Sequence, residues 1–207
     1  MPTNKICVYA ICKNEIKRID QWLNQVKKAD YIVVLDTGST DGTWEFLQKQ
    51  NNIICEQKII SPFRFDTARN EALKLVPEDC NICVPMDIDM LICKGFFDQL
   101  KGQFKDGIGI LRIPQYFKTN NTSGWWVAHA RGGGQWHYPI YELYKSEKET
   151  KQSCVPLIIH DFEIVKDTHN CYLDLAKLSV EENPNDIYAM WAYRKISKGI
   201  KKNDKTH

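Results

Sequence analysis

The chain has 207 residues, 43% of them hydrophobic and 26% charged, with a formal charge of +2 at pH 7. That length can bury a core without disulfide or metal staples, and neither the charge nor any basic run with interleaved aromatics suggests a nucleic-acid partner. No stretch reaches the ~20 apolar residues of a membrane-spanning helix, and "MPTNKICVYAICKNE" turns charged too early for a signal peptide, so a cytoplasmic setting is expected.

In chain order, "KICVYAIC" reads as a buried strand, and "RIDQWLNQVKK" as a helix with Ile19, Trp22, Leu23 and Val26 at helical spacing. "YIVVLD" is a second strand and "TDGTWEFLQKQ" a second helix, with Thr40 or Asp41 as its N-cap. "NIICEQKII" is a third strand, "DTARNEALKLV" a third helix that is apolar at Ala68, Ala72 and Leu75, and "NICVPMD" a fourth strand. Such alternation with short links predicts an α/β fold: a mostly parallel central sheet flanked by helices. Beyond it come a helix, "KGFFDQLKGQF", and a long strand, "GIGILRIPQYF". Residues 118–136 show no clear period and read as a long loop, of the kind that is usually functional or mobile. "YELYK" and "CVPLIIHDF" read as strands, and "THNCYLDLAKLSVEEN" and "PNDIYAMWAYRKISKG" as a C-terminal helical pair, Pro184 suiting the first turn of the second. The tail "KKNDKTH" reads as frayed or as the start of a linker.

The eight cysteines are expected to be reduced, with Cys7, Cys55 and Cys83 acting as small hydrophobes. Cys80 and Cys83 form one CxxC without the second pair that a zinc site needs, and the sequons at Asn120 and Asn121 carry no weight without secretion.

Ligands of open α/β sheets bind at the carboxyl ends of the strands. Glu15 follows the first strand, Asp36 ends the second, and Asp87 with Asp89 ends the fourth, so acids distant in sequence meet along one edge. Any one of them, Asp41 above all, could serve only as a helix cap or turn former. The loop "DTGSTDGT", residues 36–43, lacks both the GxGxxG of a dinucleotide fold and the GKS/T of a P-loop.

"ICKNE", "VVLDTGSTDGT", "FDTARNEAL" and "PMDID", in this order and spacing, resemble the nucleotide-binding half of a family 2 glycosyltransferase of GT-A fold, over about residues 5 to 92. More loosely, "WHYPIYELY" resembles the "W…HE" segment of bacterial lipopolysaccharide-core type members, "LIIHDF" their late metal-ligand histidine, and the last helices the TPR-like tail that some members carry. The resemblance implies a glycosyltransferase domain over 1–166, its nucleotide-binding half about 1–92 and its acceptor half about 93–166, with a helical extension over 167–207. It implies that Ala10, Ile11, Cys12, Lys13 and Glu15 border a uracil pocket, that Asp36 binds the uracil, and that Ser39 lies beside the nucleoside. Arg69 would lie near the diphosphate, with Asn70 supporting its helix. Asp87 would face the ribose, the metal or both, with Ile88 beside it. Asp89 would hold the metal and His160 complete its sphere. Glu142 falls at the catalytic base, although Tyr141 stands where the family often has histidine.

The chemistry of the residues agrees. Mn²⁺ or Mg²⁺ takes a few carboxylate oxygens and then waters and phosphates, so a D-x-D turn shared with a nucleotide offsets the cost of its own desolvation. His160 could equally be an ordinary strand-end residue. Trp125, Trp126 and Trp136 could be core, or could stack on sugar faces or close as a lid. The expected activity is metal-dependent, inverting transfer of a hexose-type sugar from a UDP-sugar to a glycan or other hydroxyl acceptor, with Asp161 as the alternative base. Two rivals are a nucleotidyltransferase, which would want a glycine-rich basic loop where "AICKNEIKR" has none, and a non-catalytic sugar-nucleotide-binding or adaptor module, against which Glu142 and Asp89 argue.

Overall fold

The computed structural model describes residues 4–117, 122–140, 143–152, 158–160 and 169–203. In chain order the elements are β1 (Ile6–Cys12), α1 (Ile19–Val26), β2 (Tyr31–Asp36), α2 (Thr43–Leu47), β3 (Ile54–Gln57), α3 (Phe65–Lys74), β4 (Ile82–Pro85), β5 (Met90–Ile92), α4 (Phe96–Gln103), β6 (Ile108–Phe117), β7 (Thr122–Ala130), β8 (Gly134–His137), β9 (Leu143–Ser146), β10 (Glu149–Gln152), β11 (Ile158–His160), α5 (His169–Glu182) and α6 (Ile187–Asn203). One sheet runs β3-β2-β1-β4-β7-β6-β11-β5, with β10 also paired to β6, while β8 and β9 form a separate hairpin. The first four strands of that order are mutually parallel, and β7 is antiparallel to both its neighbours.

The apolar run of β1 is continuous because both of its faces are covered. Alternate residues divide between them: Ile6, Val8, Ala10 and Cys12 join a core with Trp22 of α1, Leu47 of α2 and Leu100 of α4. Cys7 and Tyr9 face the other way, with Ala72 of α3. This is the expected mostly parallel sheet flanked by helices. Among the described residues no helix is long and apolar enough to cross a membrane.

Several local expectations are corrected. The loop read over 118–136 contains β7 and β8, and β7 pairs with β6 from Thr122 opposite Phe117 to His129 opposite Ile110. Its period is hidden because two side chains with polar tips, Trp126 and His129, face inward and find partners there. Helix α2 starts at Thr43 with Gly42 as its cap in the left-handed region, and Asp41 accepts from the Thr43 amide at 3.0 Å from one residue earlier. Pro184 precedes α6 rather than opening it. Asp186 supplies the cap, accepting from the amides of Tyr188 and Ala189 at 2.8 and 3.2 Å. The third strand is shorter than read, only Ile54–Gln57, and forms a largely exposed edge of the sheet.

The C-terminal pair packs Leu175, Ala176 and Ile196 around Ile140, with Phe65 of α3 alongside. Arg64 ties the junction, holding Asp66 at 2.8 Å and Glu182 of α5.

Candidate active site

Two loops leave the carboxyl ends of β1 and β2 and are joined by four hydrogen bonds. The Asn14 amide donates to Ser39 Oγ (2.8 Å), Thr40 N–H to Asn14 Oδ1 (2.8 Å), Glu15 N–H to Thr43 Oγ1 (2.8 Å) and Ile16 N–H to Asp41 Oδ2 (3.2 Å). Asn14 bends the first loop at φ 59°, a conformation asparagine tolerates better than most residues. The sequence reading missed the part played by Asn14 and Thr43. The asparagine between Lys13 and Glu15 was the available signal.

Asp36 ends β2 as expected, but its side chain is turned into its own loop and has no exposed surface. Oδ1 accepts from the Gly38 and Ser39 amides (2.9 and 2.8 Å) and from Gln57 Nε2 (3.0 Å), and the Cys12 thiol lies 3.5 Å from Oδ2. Burial pushes the carboxyl up, but hydrogen bonds from Ser39, Gln57 and Gly38 outweigh it and hold the group below the usual range. As placed, Asp36 shapes the loop that carries Ser39. Ala10 and Cys12 likewise point into the core, Ile11 is half-buried, and Lys13 stands exposed at the rim.

The end of β4 carries the other half of the site. Asp87 Oδ1 accepts from Arg69 Nη2 at 2.7 Å. Arg69, on α3, is 3% exposed and caps the rings of Trp126 and Trp136, its guanidinium carbon 5.5 and 5.2 Å from their centroids. Ile88 is buried beneath the turn. Burial, then the neighbouring Asp87 carboxylate, pushes Asp89 up to about 7, with Glu15 adding to the push and Arg18 opposing it. Glu15 is itself raised by burial against the pull of Arg18, 3.6 Å away. Glu15, Asp87 and Asp89 thus share one electrostatic neighbourhood at the sheet edge.

Strand register places the backbone of His160 opposite Met90, one residue beyond Asp89. The side chain of His160, together with Tyr141, Glu142 and Asp161, lies outside the described residues. Among the described residues no three His, Cys, Asp or Glu side chains converge as a metal cluster. The donor set that could hold a divalent ion is the Asp87–Asp89 pair, with one oxygen of Asp87 committed to Arg69. Of the three tryptophans, Trp125 is 48% exposed, whereas Trp126 donates to the Pro85 carbonyl at 2.6 Å and Trp136 is buried. Trp126 and Trp136 therefore sit on strands beneath Arg69, not in a loop above a ligand.

The sequence profile described as Glycosyl transferase family 2 matches residues 7–161. The chain belongs to glycosyl transferase family 2. The match takes in both site loops, Arg69, Asp87 and Asp89, and runs on to Asp161. No curated protein matches the chain significantly. Among solved structures, S. aureus TarS superposes with a TM-score of 0.59 at 16% identity, over 85% of this chain and 40% of that one. TarS 1–349 gives 0.57 at 15% identity, over 91% and 69%. The chain thus spans well under half of the longer TarS chain. A 4-diphosphocytidyl-2C-methyl-D-erythritol synthase from Anaerococcus prevotii gives 0.50 at 8% identity, over 77% of this chain and 90% of its own. At these identities the likeness is one of fold, which the family 2 chain shares with proteins of differing chemistry.

Proposed function

We propose that this family 2 domain is a metal-dependent, inverting glycosyltransferase that moves a hexose-type sugar from a UDP-sugar to a hydroxyl acceptor, in glycan assembly. The observation that carries the reading is the meeting of the joined β1 and β2 loops with the Arg69–Asp87 pair and the crowded Asp89 at one sheet edge. A carboxylate crowded by a like charge is relieved by a bound cation, and two aspartates with room for waters and phosphates suit Mn²⁺ or Mg²⁺. Such an ion, when bound, supplies Lewis-acid neutralisation of the departing diphosphate. The residues of the chain do the rest. The loop built on Asp36 presents Ser39 towards the nucleoside side, and Arg69 holds Asp87 in place beside the diphosphate. Glu142 takes the proton of the acceptor hydroxyl as its oxygen attacks the anomeric carbon on the face opposite UDP, which inverts that centre. His160, whose backbone faces Met90 in the sheet, completes the ion's sphere in this reading.

The test is UDP release from a panel of UDP-hexoses with Mn²⁺ and with EDTA, in wild type and Asp89→Ala. Release that needs Mn²⁺ and is lost in Asp89→Ala is the expected result, because a methyl group cannot replace an oxygen ligand of a hard cation. Full activity of the variant across a Mn²⁺ titration would remove Asp89 from the site. UDP binding without release from any donor would instead favour a sugar-nucleotide-binding module.

A further inference from the structure

Behind the nucleotide-facing edge lies a buried polar chain that the reaction scheme above does not use. Trp136 Nε1 donates to the Tyr9 hydroxyl at 2.7 Å, and that hydroxyl lies 2.8 Å from His129 Nε2. His129 Nδ1 is 3.0 Å from the Ala130 carbonyl, which can only accept, so Nδ1 carries the proton and Nε2 accepts from Tyr9. Every donor in the chain has a direction. Tyr9 and His129 have no exposed surface, and burial holds the imidazole neutral.

The backbone of Trp136 is fixed just as firmly. Its amide donates to Asn70 Oδ1 and its carbonyl accepts from Asn70 Nδ2, both at 2.9 Å. Asn70 adjoins Arg69 on α3, so one helix carries both the residue that grips the Trp136 backbone and the cation that rests on its ring. Trp126, the second ring under the guanidinium, is anchored by its indole N–H to the carbonyl of Pro85, two residues before Asp87. An arginine has enough rotamer freedom that placing its head costs entropy. Here the guanidinium rests on both rings and donates to Asp87.

We propose that Tyr9, Trp136 and Asn70 are positioning residues for the donor site: they fix the aromatic seat of Arg69, and through the Arg69–Asp87 pair they set the direction of the Asp87 oxygen left for the nucleotide and its cation. The proposal rests on the nucleotide-sugar reading above. It assigns a role to the aromatic of the "WHYP" segment and to the tyrosine of β1, neither of which the reaction scheme uses.

The experiment measures UDP affinity by calorimetry at fixed MnCl₂ and the Arg69 Nε–H resonance by NMR, in wild type, Trp136→Phe, Trp136→Leu and Tyr9→Phe. Leu100→Ala, on the core-facing side of α4, serves as a control matched for loss of melting temperature. Trp136→Leu should weaken UDP binding about tenfold, the equivalent of a ~1.4 kcal/mol loss, and shift the Arg69 resonance as the ring current is removed. Trp136→Phe, which keeps a ring, and Tyr9→Phe, which keeps the seat but frees its anchor, should fall between. Leu100→Ala should leave UDP affinity and the resonance unchanged. Equal UDP affinity in Trp136→Leu and wild type overturns the proposal, as does an equal loss in Leu100→Ala. If wild type itself binds no UDP with Mn²⁺, the nucleotide reading falls and the proposal falls with it; binding by wild type with no effect of Trp136→Leu sinks the proposal alone.

Discussion

At the scale of single residues, two side chains make opposite demands on protons. His129 is enclosed, and burial pushes its imidazole down to about 4, partly offset by the Ala130 carbonyl. The unfolded chain regains an ordinary histidine near 6.5 and so binds more protons than the folded one between those values. Stability from this group is therefore complete above pH 6.5 and is lost as pH falls towards 4, by ~3 kcal/mol in all if the full shift is realised. The melting temperature of wild type should fall more steeply between pH 6.5 and 4.5 than that of His129→Gln; parallel slopes would mean that the imidazole is not buried neutral. Glu142, by contrast, is proposed to take a proton in the reaction. Glu142→Gln keeps shape and hydrogen bonding but cannot act as a base, so transfer should drop ~10²-fold or more while UDP binding by calorimetry stays intact. Transfer within a few-fold of wild type would pass the role to Asp161 for testing.

Among the elements, the β1 and β2 loops illustrate what a sequence discloses about a site. That Asp36 and Glu15 fall at strand ends was legible, because the apolar runs "ICVYAIC" and "YIVVLD" fix where the strands stop. Where those side chains point was not. Asp36 turns inward because two loop amides and Gln57 compete for it, and Gln57 comes from β3, whose pairing partner a single sequence does not announce. Strand β7 escaped notice for a related reason. Trp126 is half-buried and His129 enclosed, their polar tips satisfied by Pro85 and Tyr9, partners that are distant in sequence, so the stretch lacks the clean alternation of a half-buried strand. The loop junction makes its own prediction. Thr43 is fully buried, accepts from the Glu15 amide at 2.8 Å and donates to Asp41 at 2.5 Å. Thr43→Val keeps the volume and removes the hydroxyl, which leaves the Glu15 amide unpaired at a cost of about 1–3 kcal/mol. Both the midpoint of urea unfolding and UDP affinity should fall. A variant that loses stability but keeps its UDP affinity would show that the junction supports the fold without shaping the pocket.

On the scale of the whole molecule, the C-terminal helices pack at the segment that leads towards Glu142 and at the start of α3, where Phe65 and Arg64 meet them. Their core residues Leu175, Ala176 and Ile196 close over Ile140, two residues before Glu142, and Tyr138 donates to Asp186 at the start of α6 at 2.7 Å. The strands β1, β2 and β4, which carry the nucleotide-side loops, bury their apolar residues in two other clusters. Loosening the helices should therefore disturb the segment that leads into Glu142 more than the β1, β2 and β4 ends, which the helices reach only through the start of α3. Ile196→Ala removes buried volume from the centre of that contact and should cost about 2–4 kcal/mol. At a temperature where the variant is still folded, UDP affinity should match wild type, and transfer to acceptor should fall about tenfold, the effect of a ~1.4 kcal/mol rise in the barrier. The split is diagnostic, because a general loss of stability would lower both together once unfolding sets in. Transfer equal to wild type in folded Ile196→Ala would make α5 and α6 an appendage to the glycosyltransferase domain rather than a part of its acceptor side.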